Sequence, residues 1–246
     1  MSPMTIGGFQ PLSLVDYPGK TCAIVFTQGC PFRCPYCHNP ELIPVHPAGG
    51  SERSGVALAR HSGIPDTNDI LEYIAAHKSM LDGVCITGGE PTIQVGLLPF
   101  LKQIKDLGLL VKLDTNGIHP KVVTRAIEEG VVDYFAMDLK HRWEKYQEIV
   151  RSGGEKVVEL CRRTFGLIQS SGIPHEFRTT VAPGIHGIDD FFEMVSYLKD
   201  GESYFIQETA FTKTLDPALS RHTGFFVPDL AADLQAAFPR CHIQVR

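Results

Sequence analysis

Three cysteines, Cys30, Cys34 and Cys37, stand in the run Gly29-Cys-Pro-Phe-Arg-Cys-Pro-Tyr-Cys-His38, with the spacing C-x3-C-x2-C. Clustered thiolates are iron–sulfur ligands. Three of them hold three irons of a [4Fe–4S] cube and leave the fourth iron without a protein ligand. An open iron binds a substrate or cofactor, which makes the cluster a reagent rather than an electron store. Three other chemistries use parts of the same run. Structural zinc would take His38 or His46 as its fourth ligand, but zinc sites usually pair two ligands locally with two far away, and there is no second C-x2-C. Cys34 to His38 is a literal C-x-x-C-H, the haem-attachment signature, whose chemistry belongs to secreted proteins. A thioredoxin-like redox pair needs two cysteines. None of the three accounts for Cys30.

Further polar motifs follow apolar runs. Gly88-Gly-Glu-Pro91 reads as a tight turn, or as a place where backbone comes close to a charged group because no Cβ intervenes. Asp114-Thr-Asn-Gly117 taken alone is a turn. Asp138-Leu-Lys140 taken alone is a solvated pair. In Glu176-Phe-Arg-Thr-Thr-Val181, period two puts Glu176, Arg178 and Thr180 on one face. Charges on a buried strand must be paired or touch a ligand. An internal Arg178–Glu176 ion pair is the structural alternative to ligand binding. Gln207 closes Tyr204-Phe-Ile-Gln207, and its plainest reading is a polar strand end.

The elements that must position these residues alternate. Strands are predicted at Thr21–Thr27, Val84–Thr87, Leu110–Asp114, Asp133–Met137, Glu176–Val181 and Ser203–Gln207, with a short extra strand at His242–Val245. Between them run helical stripes. Ile70, Leu71, Ile74 and Ala75 follow a cap at Asp66 or Thr67. Leu97, Leu101 and Ile104 are stopped by Gly108, and a third helix enters at Pro120 and leaves at Gly130. Val158, Cys161, Phe165 and Ile168 make a fourth stripe, Phe191, Met194, Val195 and Leu198 a fifth, and Leu230, Leu234 and Phe238 a terminal helix. Strand–helix alternation means βα units and a parallel sheet. Periodicity alone allows a doubly wound sheet or most of a (β/α)8 barrel. Each motif follows the C-terminal end of a different strand, as ligand residues do in both architectures. Six strands gathered round one small ligand need a curved sheet, so the expected fold is α/β, a partial (β/α)6 barrel in a single domain. Residues 1–20 are an N-terminal extension, 21–217 the barrel and 218–246 a C-terminal extension. Residues 44–65, rich in Gly, Pro, Ser and His, read as an exposed loop.

The chain has 246 residues, 43% hydrophobic and 21% charged, with a formal net charge of −5. These values are ordinary for a globular protein and favour neither nucleic acid nor an anionic membrane as partner. No apolar run approaches a membrane span, and the N-terminus has no signal-peptide core, so the cytoplasm is the expected location. Seven cysteines are an odd number without framework spacing. Cys22, Cys85, Cys161 and Cys241 are read as buried small hydrophobes.

C-x3-C-x-(aromatic)-C after a first strand, with Tyr36 as the aromatic, resembles the radical S-adenosylmethionine (SAM) superfamily. The resemblance implies that the open iron chelates the SAM amino and carboxylate groups. One electron from the cluster then releases a 5′-deoxyadenosyl radical that abstracts hydrogen. The Gly88-Gly89-Glu90 segment resembles the one that receives the SAM amino group. Asp114, Asn116, Asp138 and Lys140 match segments that contact SAM in the glycyl-radical-enzyme activases, where the two aspartates also help hold a monovalent cation. Arg178 is then a candidate for the SAM ribose or carboxylate, and Gln207 for the adenine side. Tyr36 and His38 flank the last cysteine on the cofactor side. No catalytic acid or base is expected, and the remaining histidines are read as surface or structural.

The likeness spans about residues 5 to 217. It includes Ile6-Gly-Gly-Phe-Gln10, Ser13-Leu-Val-Asp-Tyr-Pro-Gly-Lys20, Cys37-His-Asn-Pro-Glu-Leu42, Leu113–Gly117, Ala136-Met-Asp-Leu-Lys140, Phe177–Val181 and Lys213-Thr-Leu-Asp-Pro217. These are similar to anaerobic ribonucleoside-triphosphate reductase activating proteins, in the lineage near pyruvate formate-lyase activating enzymes. The implied function is installation of a glycyl radical on a partner enzyme, with flavodoxin or ferredoxin as electron donor. With no cysteine between Cys37 and Cys85, one [4Fe–4S] cluster is expected. Two other functions fit parts of the pattern: another radical SAM enzyme acting on a small molecule, and a non-catalytic zinc-binding module.

Overall fold

A computed structural model describes residues 4–43, 63–152, 155–182, 184–208, 214–221 and 227–246. The expected loop at 44–65 lies almost wholly outside these residues, as do His46, His61 and Lys213. The chain divides into two compact units. One comprises Met1–Pro31, Glu41–Thr115 and Lys121–Phe135, the other Phe32–Pro40, Asn116–Pro120 and Ala136–Arg246.

In the first unit β1 (Ile6–Ser13), β2 (Cys22–Thr27), β3 (Gly83–Gly88) and β4 (Leu110–Thr115) lie side by side in chain order. β2, β3 and β4 are parallel, and β1 is antiparallel to β2. The run Cys22-Ala-Ile-Val is buried throughout, as a strand covered on both faces requires. β1 is an element that the strand pattern did not reveal. Its Gly-Gly and Pro11 weaken any strand signal, and its pairing with β2 is irregular at two places. Edge position tolerates both features.

Among the described residues three helices belong to this unit: α1 (Thr67–His77), α2 (Leu97–Asp106) and α3 (Pro120–Glu128). Asp66 caps α1, accepting hydrogen bonds from the Asn68 and Asp69 amides, and the Asp69 carboxylate accepts one from the Asp66 amide. α2 buries Leu97, Leu98, Phe100, Leu101 and Ile104 and packs on β4. Gly108 and Gly130, both at positive φ, follow α2 and α3 as the sequence predicts. Lys105 near the end of α2 meets Asp133 at 2.7 Å, and the same carboxylate accepts the Val111 amide at 2.7 Å.

The division between the units falls within β5 (Tyr134–Asp138). In the second unit the Leu139 amide, just past β5, donates to the Arg178 carbonyl at 2.8 Å, and β6 (His175–Thr180), β7 (Ser203–Gln207) and β8 (His242–Val245) follow as parallel neighbours. Among the described residues four helices accompany them: α4 (Tyr146–Val150), α5 (Glu155–Ser170), α6 (Ile188–Val195) and α7 (Val227–Ala237). The α5 stripe is Val157, Cys161, Phe165 and Ile168, so Val157 replaces the expected Val158 in the core. The expected terminal helix and last strand are α7 and β8. Trp143 is a packing residue, with Tyr146, Phe165 and Tyr197 rings between 5.1 and 5.8 Å away. All four non-motif cysteines are buried thiols outside any disulfide.

Candidate active site

In the first unit the glycines of the Gly88-Gly89-Glu90 turn serve a close backbone contact. The Gly89 amide donates to the Thr27 carbonyl and the Glu90 amide to the Gly29 carbonyl, each at 2.8 Å. A Cβ on Gly89 would overlap the Gly29 carbonyl, and Gly88 sits at φ 113° against the Thr27 backbone. The close approach that these glycines permit is to the main chain that leads into Cys30. Gln94 adds to the same anchor, with Nε2 donating to the Gln28 carbonyl at 2.6 Å and Oε1 accepting the Thr5 amide.

Glu90 is 1% exposed. Its Oε1 accepts from the Thr92 amide at 3.1 Å, the Thr92 hydroxyl at 2.5 Å and the Thr115 hydroxyl at 2.7 Å. These bonds satisfy a buried carboxylate and tie the end of β3 to the end of β4. Asp114, next to Thr115, is bound by the ammonium of Lys112 at 2.5 Å.

In the second unit the cysteine loop is held at several points. The Arg33 amide donates to the Val150 carbonyl, the Cys37 amide to the Cys34 carbonyl, and the Asp216 amide to the Pro35 carbonyl. Asp216 lies in the Lys213–Pro217 motif, which thus clamps the loop from the distal end of the chain. Tyr36 is buried, and its hydroxyl donates to the Lys140 carbonyl at 2.8 Å. That bond joins the cysteine loop to the Asp138-Leu-Lys140 segment.

Asp138 sits between two cations. Arg178 Nε is 2.5 Å from one carboxylate oxygen, and Lys140 Nζ is 2.8 Å from the other. Burial works against the charge, yet Arg178 and Lys140 hold the Asp138 carboxyl well below the usual range. Burial also opposes the Lys140 ammonium, but Asp138 keeps it strongly basic. The pair read in isolation as solvated surface is therefore a half-buried ionic triad. The Arg178–Glu176 pair does not form its core. Glu176 is fully buried and takes a two-pronged contact from Arg246, at 2.7 and 3.0 Å. The two charges share a strand face but are matched to different partners, because β5 brings Asp138 beside β6 and Arg246, which follows β8, reaches Glu176 from beyond β7.

The Asn116-Gly117 part of the β4 turn is fixed from α5. The Cys161 thiol contacts the Asn116 carbonyl and the Thr164 hydroxyl donates to the Gly117 carbonyl at 2.6 Å. Asn116 Oδ1 accepts the Ile118 amide, a local turn role for the side chain. Gly117 has φ 83° with the Met137 side chain against it. Gln207 ends β7, its carbonyl accepting the Val181 amide. His38 is exposed at the surface, and partial desolvation followed by the Lys140 charge lowers its basicity.

His186 is a support that strand patterns did not disclose. Its Nδ1 accepts the Ala182 amide at 3.1 Å, so Nε2 carries the proton and donates to the Lys140 carbonyl at 2.9 Å. Burial lowers its pKa to about 4, helped by the neighbouring His141 ring. An unfolded histidine titrates near 6.5. Between those values the unfolded chain binds the extra proton, so this contribution is full above pH 6.5 and is lost as pH falls toward 4, in total about 3 kcal/mol. Urea unfolding at pH 7 and pH 4.5 checks this: His186→Gln should lose much less stability than the native chain between the two. Equal losses would remove His186 as the source.

The thiols suit a cluster. Burial pushes the Cys34 thiol up to about 11, against the pull of the Lys140 charge and with a smaller push from the Cys37 sulfur. Ligation removes the proton and relieves the crowding of two sulfurs. Among the described residues no three His, Cys, Asp or Glu side chains converge as the ligands of a single metal ion would. A cubic cluster instead spreads its thiolates over separate irons.

Comparison with known proteins bears on the chemistry. The radical SAM superfamily model matches residues 24–197. A Methanocaldococcus jannaschii protein provisionally named a glycyl-radical enzyme activating enzyme is 32% identical over 206 residues, covering 82% of this chain and 79% of that protein. A pyruvate formate-lyase-activating enzyme of Staphylococcus aureus is 36% identical over 181 residues, covering 68% of this chain and 65% of its own. Among solved structures, Streptococcus suis SuiB bound to S-adenosylmethionine superposes with a TM-score of 0.63 at 12% identity, over 88% of this chain and about half (48%) of SuiB. Escherichia coli QueE gives 0.57 at 18% identity, over 100% of this chain and 95% of that one. At these identities the two structures speak for the fold alone, and they bear out the expected α/β radical SAM architecture. The superfamily match and the M. jannaschii relative carry the assignment: this chain belongs to the radical SAM superfamily, whose members use a [4Fe–4S] cluster and SAM, and within it to the glycyl-radical-enzyme activating enzymes.

Proposed function

We propose that this chain installs the glycyl radical of an anaerobic ribonucleoside-triphosphate reductase. The observation that carries the reading is the set of motifs from Ser13–Lys20 to Lys213–Pro217, which resembles that activase lineage over most of the chain. Pyruvate formate-lyase is the second reading, favoured by the S. aureus relative. Cys30, Cys34 and Cys37 would hold the cluster. When bound, the cluster supplies one electron to SAM, whose deoxyadenosyl fragment then takes the glycine Cα hydrogen. The protein's own part is orientation. The Gly88-Gly89-Glu90 turn, Asp114, Asn116, Asp138, Lys140, Arg178 and Gln207 grip SAM, with Tyr36 and His38 beside the cysteines.

Asp138 holds Arg178 and Lys140 in place so that their donors are positioned before the ligand arrives. A flavodoxin or ferredoxin is the electron donor, and the cytoplasm, where such reduced carriers reside, is the location. No helix among the described residues is long and apolar enough to cross a membrane. Reconstituted protein, SAM and reductant incubated anaerobically with each candidate partner should give a glycyl-radical EPR doublet on the reductase. A doublet on pyruvate formate-lyase alone selects the second reading. Absence of 5′-deoxyadenosine under the same conditions overturns both.

A further inference from the structure

Lys112 is a charged residue in the middle of a buried strand, and it is 1% exposed. It shares a strand face with Asp114, two residues on, and its Nζ lies 2.5 Å from Asp114 Oδ1. The β3–β4 register sets Cys85 opposite Lys112. The Cys85 sulfur is 3.8 Å from both the ammonium and the same carboxylate oxygen. Lysine is almost never fully buried unless paired. A buried ion pair is on average no more stabilising than apolar residues of the same shape. Its value here is therefore positional. Asp114 is held in place, and the next residue, Thr115, passes that placement to Glu90 through its 2.7 Å hydrogen bond.

We propose that Lys112 is the built-in counter-cation of Asp114, so that this chain carries in β4 the positive charge that a small monovalent cation would otherwise bring to that carboxylate. Asp138, in the other unit, likewise has protein cations of its own, Lys140 and Arg178. A potassium or sodium ion at Asp114 would have to displace the ammonium or sit against it, and like charges at such range repel strongly in a buried site. Lys112 is thus a positioning residue for the turn that, on the functional reading above, binds SAM.

The test compares the reconstituted native chain, Lys112→Ala and Lys112→Ala/Asp114→Asn in potassium chloride and in choline chloride of equal ionic strength. SAM binding is measured by equilibrium dialysis and stability by thermal unfolding. The native chain should bind SAM equally in the two salts, within about twofold. Lys112→Ala should bind about tenfold more weakly in choline and recover in potassium, which can enter the space the ammonium leaves. Its unfolding midpoint should fall by about 10 °C in choline, and the double variant should regain at least half of that, since an amide needs no counter-charge. Native SAM binding that collapses in choline would overturn the proposal. So would a double variant no more stable than Lys112→Ala. If the native chain binds SAM in neither salt, the SAM reading fails, and the unfolding comparison still decides whether Lys112 neutralises Asp114.

Discussion

Cys34→Ala is expected to yield a folded, colourless protein that retains less than one iron per chain and forms no 5′-deoxyadenosine. Three thiols at C-x3-C-x2-C are the minimum that holds a four-iron cube with one open corner. Removing one leaves two ligands and two open corners, and the cube is not retained. The fold survives because the loop does not depend on that sulfur for its shape. The Arg33, Cys37 and Asp216 amides anchor it through main-chain bonds, and Phe32 and Tyr36 are buried on either side. Loss of one small buried side-chain atom costs on the order of 1 kcal/mol. Iron content, visible absorbance and far-ultraviolet circular dichroism on anaerobically purified protein separate the two effects. Arg178→Ala is the contrasting variant: Arg178 touches Asp138, so iron should remain while SAM binding weakens. Full iron in Cys34→Ala, or stoichiometric zinc in the native protein, would end the cluster reading.

Gly89→Ala is expected to destabilise the chain by about 3 kcal/mol or more and to lower cluster loading with it. The added methyl meets a carbonyl of the main chain, and main chain cannot swing aside as a side-chain tip can. The neighbouring bonds, Gly89 to Thr27 and Glu90 to Gly29, hold both strands at that separation. Relief must come from moving Gly29, and Gly29 leads directly into Cys30. Against a typical domain stability of about 5–15 kcal/mol, that loss is large. Urea unfolding midpoints measure it. Gly166→Ala is the control: it lies in α5 with open space around its Cβ position, and alanine there should be neutral or stabilising by up to about 1 kcal/mol. A Gly89→Ala protein as stable as the native chain would show that the close contact of the Gly88–Gly89 turn with the Thr27–Gly29 segment is not rigid.

What the chain determined locally could be read without coordinates. The cysteine spacing, the strand runs, the Asp66 cap, the Pro120 entry and the Gly108 and Gly130 exits depend on residues a few positions apart, so periodicity and composition carry them. The family likeness was legible for the same reason, since each motif is a short run after one strand. Charge pairing was not legible. Arg178 and Glu176 are two residues apart and of opposite sign, yet one meets Asp138 and the other Arg246, 40 and 70 positions away, because the fold brings the ends of β5 and β8 within reach of β6. Edge strand β1 escaped notice because its glycines and proline speak against a strand until β2 is there to pair with it. The role of His186 depends on Lys140, 46 positions away. Lys112 and Asp114 stood two apart in plain sight, but only packing shows that the strand buries them both and that the ammonium has no solvent to turn to. Spacing along the chain determined which chemistry the residues can do, and tertiary packing decided which charge answers which, because desolvated charges must find partners wherever the fold places them.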